Sequence, residues 1–317
     1  MDELPGGIRR VTMPLPTRPG HVHCYLLPVE DGFVLVDTGL GIPDAGERWA
    51  AELDVLPAPV STIFLTHFHP DHLGATQDVR ELTAARVVQG SVDAGQAVLV
   101  WGSDGWSEVL AGWFHLNGVP EAVTDELIGQ GALYRPFIRM VPDPEPVEGG
   151  AFLDGWELVA APGHADGQLT LLRDGILIAA DHLLQPISPS VGLWPESRPD
   201  PLGDYLDALR RTIDLAPHAA YGGHGEPMAD PVGRAQELIE HHAERLRQTA
   251  AALGPEPRTG FEVSFPLFGE SLQPAARRFA VAETLSHLER LVIEGRAHRH
   301  ETKLDGDVVG VSYTAAQ

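Results

Sequence analysis

The segment Thr66-His67-Phe68-His69-Pro70-Asp71-His72 directly follows the apolar run Thr62-Ile63-Phe64-Leu65. Three imidazoles and a carboxylate within six residues can turn into one cavity only from a loop at a strand end, where the sheet fixes the backbone and the loop presents the side chains. Pro70 is expected to delay helix formation until Leu73-Gly74 begins the next element. Imidazole nitrogen and carboxylate oxygen at this density are ligands for a divalent metal, and a catalytic site of that kind keeps a position open for water. A polar loop that happens to be His-rich is the plainer alternative, but the order His-x-His-x-Asp-His after a strand is far more specific. Cys24 is the only cysteine, which excludes intrachain disulfides and Cys-rich zinc arrangements, whereas 15 histidines are ample for a His and carboxylate site.

Around this segment the chain alternates apolar runs with turn residues. Ile8 to Leu15, Val22 to Leu27, Phe33 to Val36 and Arg86 to Gln89 read as strands, with helices over Asp44 to Leu56 and Leu73 to Ala84, a rhythm that suggests strands buried under helices. Residues 91–140 read as a helical insertion carrying Trp101, Trp106, Trp113, Phe114, Tyr134 and Phe137. Packing of the insertion's own small core is the simpler use of these aromatics; a lid lining an apolar substrate pocket is the functional one. Strands resume at Trp156 to Ala160, Leu169 to Leu172 and Ile176 to Ala180, the last two joined by an Asp174-Gly175 hairpin turn. Helices follow at Asp204 to Leu215, Arg234 to Leu253 and Pro274 to Glu294, with a hairpin around Asp305-Gly306.

Three more segments place a polar residue at the end of an apolar strand among small neighbours: Ala161-Pro162-Gly163-His164, Ile178-Ala179-Ala180-Asp181 and Gly222-Gly223-His224-Gly225. Together with His67 to His72, these motifs resemble the metallo-β-lactamase fold superfamily over about the first 230 residues. The resemblance implies an α/β (α+β) fold, a four-layer αβ/βα sandwich with the metals at one edge. It implies a first metal on His67, His69 and His164, a second on Asp71, His72 and His224, and Asp181 bridging the two. Asp37, in Asp37-Thr38-Gly39, matches the position expected to support the site from behind the ligands.

Asp181 after Ala179-Ala180, with no thiol at a motif position, resembles the hydroxyacylglutathione hydrolase-like branch. The C-terminal part resembles lactamase-like proteins with a winged-helix-like extension. A catalytic domain over residues 1–233 and a C-terminal module over 234–317 are therefore expected. The implied activity is hydrolysis by a hydroxide shared between two divalent ions, with a thioester or carboxylic ester as substrate. Zinc suits the ligands, and iron or manganese is also accommodated. Asp71 is expected to orient the nucleophile as well as to bind metal. An endoribonuclease or phosphodiesterase and a lactonase are the alternatives within the fold, and a di-iron redox or binding protein lies outside hydrolysis. The stretch Leu183 to Val191 lacks the tyrosine expected of lactonases, which weakens that reading.

His182 is a candidate general acid or substrate contact, although side chains alternate along a strand and Asp181 already faces the metals. His21 and His23 alternate on one face and are expected to pack or to line the pocket. A net charge of −23 with a single lysine, Lys303, disfavours nucleic acid as a partner, although Arg296, His298, Arg299 and His300 gather near the C-terminus. The acidic start at Met1-Asp2-Glu3 and the absence of a long apolar stretch lead to the expectation of a cytoplasmic protein without membrane contact, with a homo-oligomer left open.

Overall fold

The computed structural model describes residues 1–304 and 307–316, so the turn expected at Asp305-Gly306 lies outside the described residues. The chain runs β1 (Asp2–Glu3), β2 (Arg9–Pro14), β3 (His21–Val29), β4 (Gly32–Val36), α1 (Ala45–Asp54), β5 (Val60–Leu65), α2 (Pro70–Leu73), α3 (Thr76–Thr83) and β6 (Arg86–Gly90). It continues through α4 (Ser91–Trp101), α5 (Trp106–Leu116), α6 (Glu121–Ala132), β7 (Glu145–Val147), β8 (Gly150–Ala151), β9 (Glu157–Ala160), β10 (Leu169–Arg173) and β11 (Ile176–Ala180). Then come α7 (Pro201–Leu215), β12 (Ala219–Gly222), α8 (Pro231–Ala251), α9 (Gly260–Phe268), α10 (Pro274–Ile293), β13 (Ala297–Leu304) and β14 (Asp307–Ala315).

Strands β1 to β7 form one sheet in sequence order, antiparallel as far as β4 and parallel from β4 to β7. The parallel strands are continuous apolar runs because helical crossovers bury them. The second sheet runs β12-β11-β10-β9-β8, with β11 and β12 parallel and the rest antiparallel. Asp174 and Gly175 both have positive φ, 51° and 73°, as a two-residue turn between paired Arg173 and Ile176 requires. One core holds the sheets face to face: Tyr25, Val34, Phe64 and Val88 from the first meet Trp156, Leu158, Leu171 and Ile178 from the second. The mixed α/β sandwich expected from sequence is therefore present. Its parallel strands end along one edge, where the loops after β4, β5 and β6 lie outside their carboxyl ends, the usual place for a site in such sheets.

Pro70 does not delay the helix. It occupies the first position of α2, where its missing N–H has no partner to lose and its φ is already helical.

The residues form two compact units, one of Met1–Ser103, Tyr134–Pro189 and Arg211–Arg234, the other of Asp104–Leu133, Ser190–Arg210 and Ala235–Gln317. In the second unit Trp106 and Phe114 are buried and Trp113 stacks on Trp194 with ring centroids 5.6 Å apart, so these aromatics pack their own unit. Helix α9 was not anticipated; Thr259 and Glu262 close a capping box at its start. His242 is buried with its Nδ1 3.2 Å from His287 Nε2, a structural position. Arg296 pairs with Glu294, Arg299 with Glu289 and Glu301, and Lys303 with Glu301, so the basic cluster of the β13–β14 hairpin meets carboxylates of its own unit. Among the described residues no helix is long and apolar enough to cross a membrane.

Candidate metal centre

Five strand ends of the first unit deliver the expected side chains to one place. Asp37 follows β4, His67 to His72 follow β5, His164 follows β9, Asp181 follows β11 and His224 follows β12. Ligand atoms of His67, His69 and His164 lie within 4.8 Å of one another, as do those of His67, His72 and Asp181, and those of Asp71, His72 and His224. His69 Nδ1 and His164 Nε2 approach to 2.8 Å. Asp181 stands between the two sets: its Oδ2 is 3.5 Å from His164 Nε2 and 3.4 Å from His224 Nε2, and its Oδ1 is 3.4 Å from His72 Nε2. Asp71 Oδ2 lies 3.3 Å from His224 Nε2, and a quarter of the Asp71 side chain is exposed, against 8% for Asp181.

The groups behind these residues decide which ring nitrogen faces inward. Asp37 Oδ1 accepts the Thr66 backbone N–H and Asp37 Oδ2 accepts Thr66 Oγ1, both at 2.8 Å. The same Oδ2 accepts His72 Nδ1–H at 2.7 Å. Since the Thr66 hydroxyl proton goes to Asp37, His67 Nδ1 donates into Thr66 Oγ1 at 2.9 Å. His224 Nδ1–H donates to the His21 carbonyl at 2.7 Å. In His67, His72 and His224 the inner nitrogen is thereby Nε2, the arrangement that second partners impose on metal-binding histidines. Asp37 thus takes the supporting position expected of it.

His67 Nε2, His72 Nε2 and Asp181 Oδ1 are buried without a hydrogen-bond partner. Orphaned polar atoms of this kind are costly unless something else satisfies them. Gly223 makes the space: a Cβ there would fall against Asp181 Oδ1 and 2.7 Å from His72 Cε1.

The charges divide in the same way. Burial, then the neighbouring imidazoles, hold His67 well below the usual histidine range and His69 at about 3, so both are neutral lone-pair donors. Burial opposes charge on Asp71 and Asp181, but His72 and His224 outweigh it, holding Asp71 at about 2 and Asp181 well below the usual range. For His72 and His224 burial is likewise outweighed by the carboxylates, which raise His72 well above its ordinary value and His224 to about 10. The carboxylates thus favour positive charge at this end of the site. The donor set therefore fits two divalent ions.

The family model for the metallo-beta-lactamase superfamily matches residues 17–224. The chain belongs to that superfamily. A model for the metallo-beta-lactamase-like C-terminal domain matches residues 246–308. A metallo-beta-lactamase family protein of Thermus thermophilus, TTHA1429, is 34% identical, with a TM-score of 0.83 over 98% of this chain and 99% of that one. A beta-lactamase domain protein of Burkholderia ambifaria is 26% identical, with a TM-score of 0.87 over 99% of this chain and 94% of that one. The probable metallo-hydrolase YqjP of Bacillus subtilis is 25% identical across 90% of this chain and 92% of its own length. As a member of the metallo-beta-lactamase superfamily, the chain is a metallo-hydrolase with a His and Asp cluster able to bind metal.

His182 is not brought into the centre. It is buried, its Nε2 is 2.7 Å from Thr212 Oγ1, and burial holds it at about 3, so it is a neutral packing histidine and not the general acid or substrate contact expected. The chain turns at Ala180, with φ 44°, and His182 leaves on the side of α7. His21 and His23 hold the His224 turn: Gly225 N–H donates to His21 Nε2 at 3.2 Å and His23 Nε2 donates to the Gly225 carbonyl at 2.9 Å. Two residues that sequence reasoning passed over belong here. Tyr25 donates to the Gly222 carbonyl at 2.6 Å, and Asp93 accepts the backbone N–H groups of Phe68 and Gly167. Tyr25 shares the alternation of His21 and His23, a signal that was available; Asp93 looks like any acidic residue in a first helical turn.

Proposed function

We propose that the chain is a binuclear metal-dependent hydrolase of thioesters or carboxylic esters. The observation that carries the metal reading is the convergence of seven side chains from four strand ends on a space where His67 Nε2, His72 Nε2 and Asp181 Oδ1 have no hydrogen-bond partner. His67, His69 and His164 would hold one ion, Asp71, His72 and His224 the other, and Asp181 both, with zinc the best chemical match and iron or manganese also suited. When bound, such a pair of divalent ions supplies Lewis acidity, polarising a carbonyl and making water nucleophilic near neutral pH.

The chain's own residues do the rest. Asp71, ionised and partly exposed, accepts a hydrogen bond from water at the open side and orients it toward the carbonyl carbon. Asp37 and Thr66 keep His72 and His67 in the tautomers that point Nε2 inward. No serine or cysteine nucleophile is required, and water adds across the acyl bond to give the acid and the alcohol or thiol. An ester or thioester is favoured over a lactam by the aspartate in the bridging position, and over RNA by the acidic chain and by the ion pairs that engage Arg296, Arg299 and Lys303. We also assign the C-terminal module as winged-helix-like, from two helices followed by the β13–β14 hairpin.

Elemental analysis of freshly purified protein should give close to two metals per chain. A panel of acyl-thioesters, aryl esters, lactones, a cephalosporin and single-stranded RNA should show turnover of esters or thioesters that is lost on chelation and in His67→Ala. Full activity without metal defeats the mechanism, and RNA cleavage without ester turnover defeats the substrate class.

A further inference from the structure

Helix α4 opens the segment in which sequence suggests a lid or a small separate core, yet its Asp93, Gln96 and Trp101 side chains reach the loops that carry histidines. Asp93, fully buried in its first turn, accepts the Gly167 N–H on Oδ1 at 2.7 Å and the Phe68 N–H on Oδ2 at 3.2 Å. Phe68 lies between His67 and His69, and Gly167 lies three residues beyond His164. From the far end of the same helix Trp101 Nε1 donates to the Phe68 carbonyl at 2.8 Å. Gln96 Nε2, between them, donates to Asp166 Oδ2 at 2.7 Å. The fit is close, since a Cβ at Gly167 would stand 2.6 Å from Val92 Cβ and 2.7 Å from Asp93 Oδ1. Residue 68 is thus gripped on both its N–H and its carbonyl, and one carboxylate spans two loops that are distant in sequence.

We propose that Asp93 is a positioning residue, a two-oxygen clamp that sets the spacing between the His67 and His69 pair and His164 and so governs the affinity of the metal held by those three histidines. The inference rests on the metal reading above. A buried carboxylate is a costly structural link, because burial disfavours its charge; here the two backbone N–H groups meet separate oxygens of one side chain, and an amide of the same size offers only one.

Asp93→Asn keeps the shape but turns an NH2 group toward one of the two backbone N–H groups, so at most one bond survives. Zinc affinity, measured by competition with a chromogenic chelator, should fall by about tenfold or more, as for other partners of metal-binding groups. The visible absorption of the cobalt-substituted protein should also change. Ile8→Ala, a core truncation away from both loops, should lower the unfolding midpoint while leaving zinc affinity and the cobalt spectrum unchanged. If Asp93→Asn does not fold, Trp101→Phe removes the grip on the other side of Phe68 and should weaken zinc by about threefold or more. Affinity within about twofold of wild type in the folded variant, or an equal loss in Ile8→Ala, overturns the clamp. Wild-type protein that takes up no zinc overturns the metal reading and the clamp with it; two tightly held zinc ions in both wild type and Asp93→Asn overturn only the clamp.

Discussion

Gly223 shows how little tolerance single positions have at this centre. A methyl group there would press on Asp181 Oδ1 and His72 Cε1, and His72 cannot yield because Asp37 holds its Nδ1. Gly223→Ala should leave a folded protein that loses at least one metal, read by elemental analysis after gel filtration; wild-type metal content would contradict the assignment. The protons on His224 and His72 make a second prediction. His224 is raised from 6.5 to about 10, so in metal-free protein its contribution to stability is complete below about pH 6.5 and is lost as pH rises toward 10. Asp71 is lowered from 3.8 to about 2, so its contribution is present above about pH 4 and lost as pH falls toward 2. His67, His69 and His182, held neutral by burial, bind protons only on unfolding and so cost stability as pH falls below about 6.5, and the unfolding midpoint of metal-free protein should therefore be highest near about pH 6.5 and decline on both sides. Metal needs the Nε2 lone pairs that these protons occupy, so uptake at neutral pH should acidify a weakly buffered solution and affinity should strengthen with rising pH.

At the scale of elements, β3 acts as the cradle for the turn that carries His224. Its alternating residues His21, His23 and Tyr25 share one face, and each bonds to the Gly222 to Gly225 turn, joined by the His23 N–H donating to the Gly223 carbonyl at 2.7 Å. Tyr25 is buried and stacks on Tyr221 with ring centroids 6.0 Å apart. Tyr25→Phe keeps that packing and leaves the Gly222 carbonyl without the phenol, which should cost about 1–3 kcal/mol of stability in chemical denaturation. A change within about 0.3 kcal/mol would mean the cradle is set by packing alone. Helix α4 does for the loops of His69 and His164 what β3 does for the loop of His224, so secondary elements hold the backbone on both sides of the ligand set.

On the scale of the molecule, the centre ties together loops that follow β5, β9, β11 and β12, which come from both sheets. Ions bound only by the folded chain stabilise it by mass action, by about 2.7 kcal/mol at a free concentration one hundred times the dissociation constant. For a chain of 317 residues chelation should then lower the unfolding midpoint by about 4 °C for each ion removed, measured by scanning calorimetry. An unchanged midpoint would mean that the loops are held without metal. The net charge of −23 and the paired arginines of the C-terminal hairpin predict no retardation of single-stranded RNA in a gel at low salt, and a clear shift would restore the nucleic-acid reading.

Much of the centre was legible because its parts are local in sequence. His67 to His72 follow one strand within six residues, and His164, Asp181 and His224 each close an apolar run with small neighbours, a pattern set by the need to leave a sheet and turn at once. The alternation of His21 and His23 showed a shared face but not its target, since that target is about 200 residues away along the chain. Helix α9 was overlooked although Thr259 and Glu262 mark its start, because Pro266 within the run speaks for a loop. Strand alternation already spoke against a direct role for His182, and only the tertiary structure shows that Thr212, 30 residues on, receives it. Asp93 could not be read at all: residues 68 and 167 lie 25 and 74 positions from it, and only the docking of α4 makes one carboxylate their common acceptor. Sequence by itself determined the ligand chemistry, from short motifs, and a succession of strands buried under helices, from periodicity, while the sandwich was what the resemblance carried by those motifs implied. The supports that orient the ligands were decided by tertiary structure, because a hydrogen bond between distant segments leaves no local pattern in either.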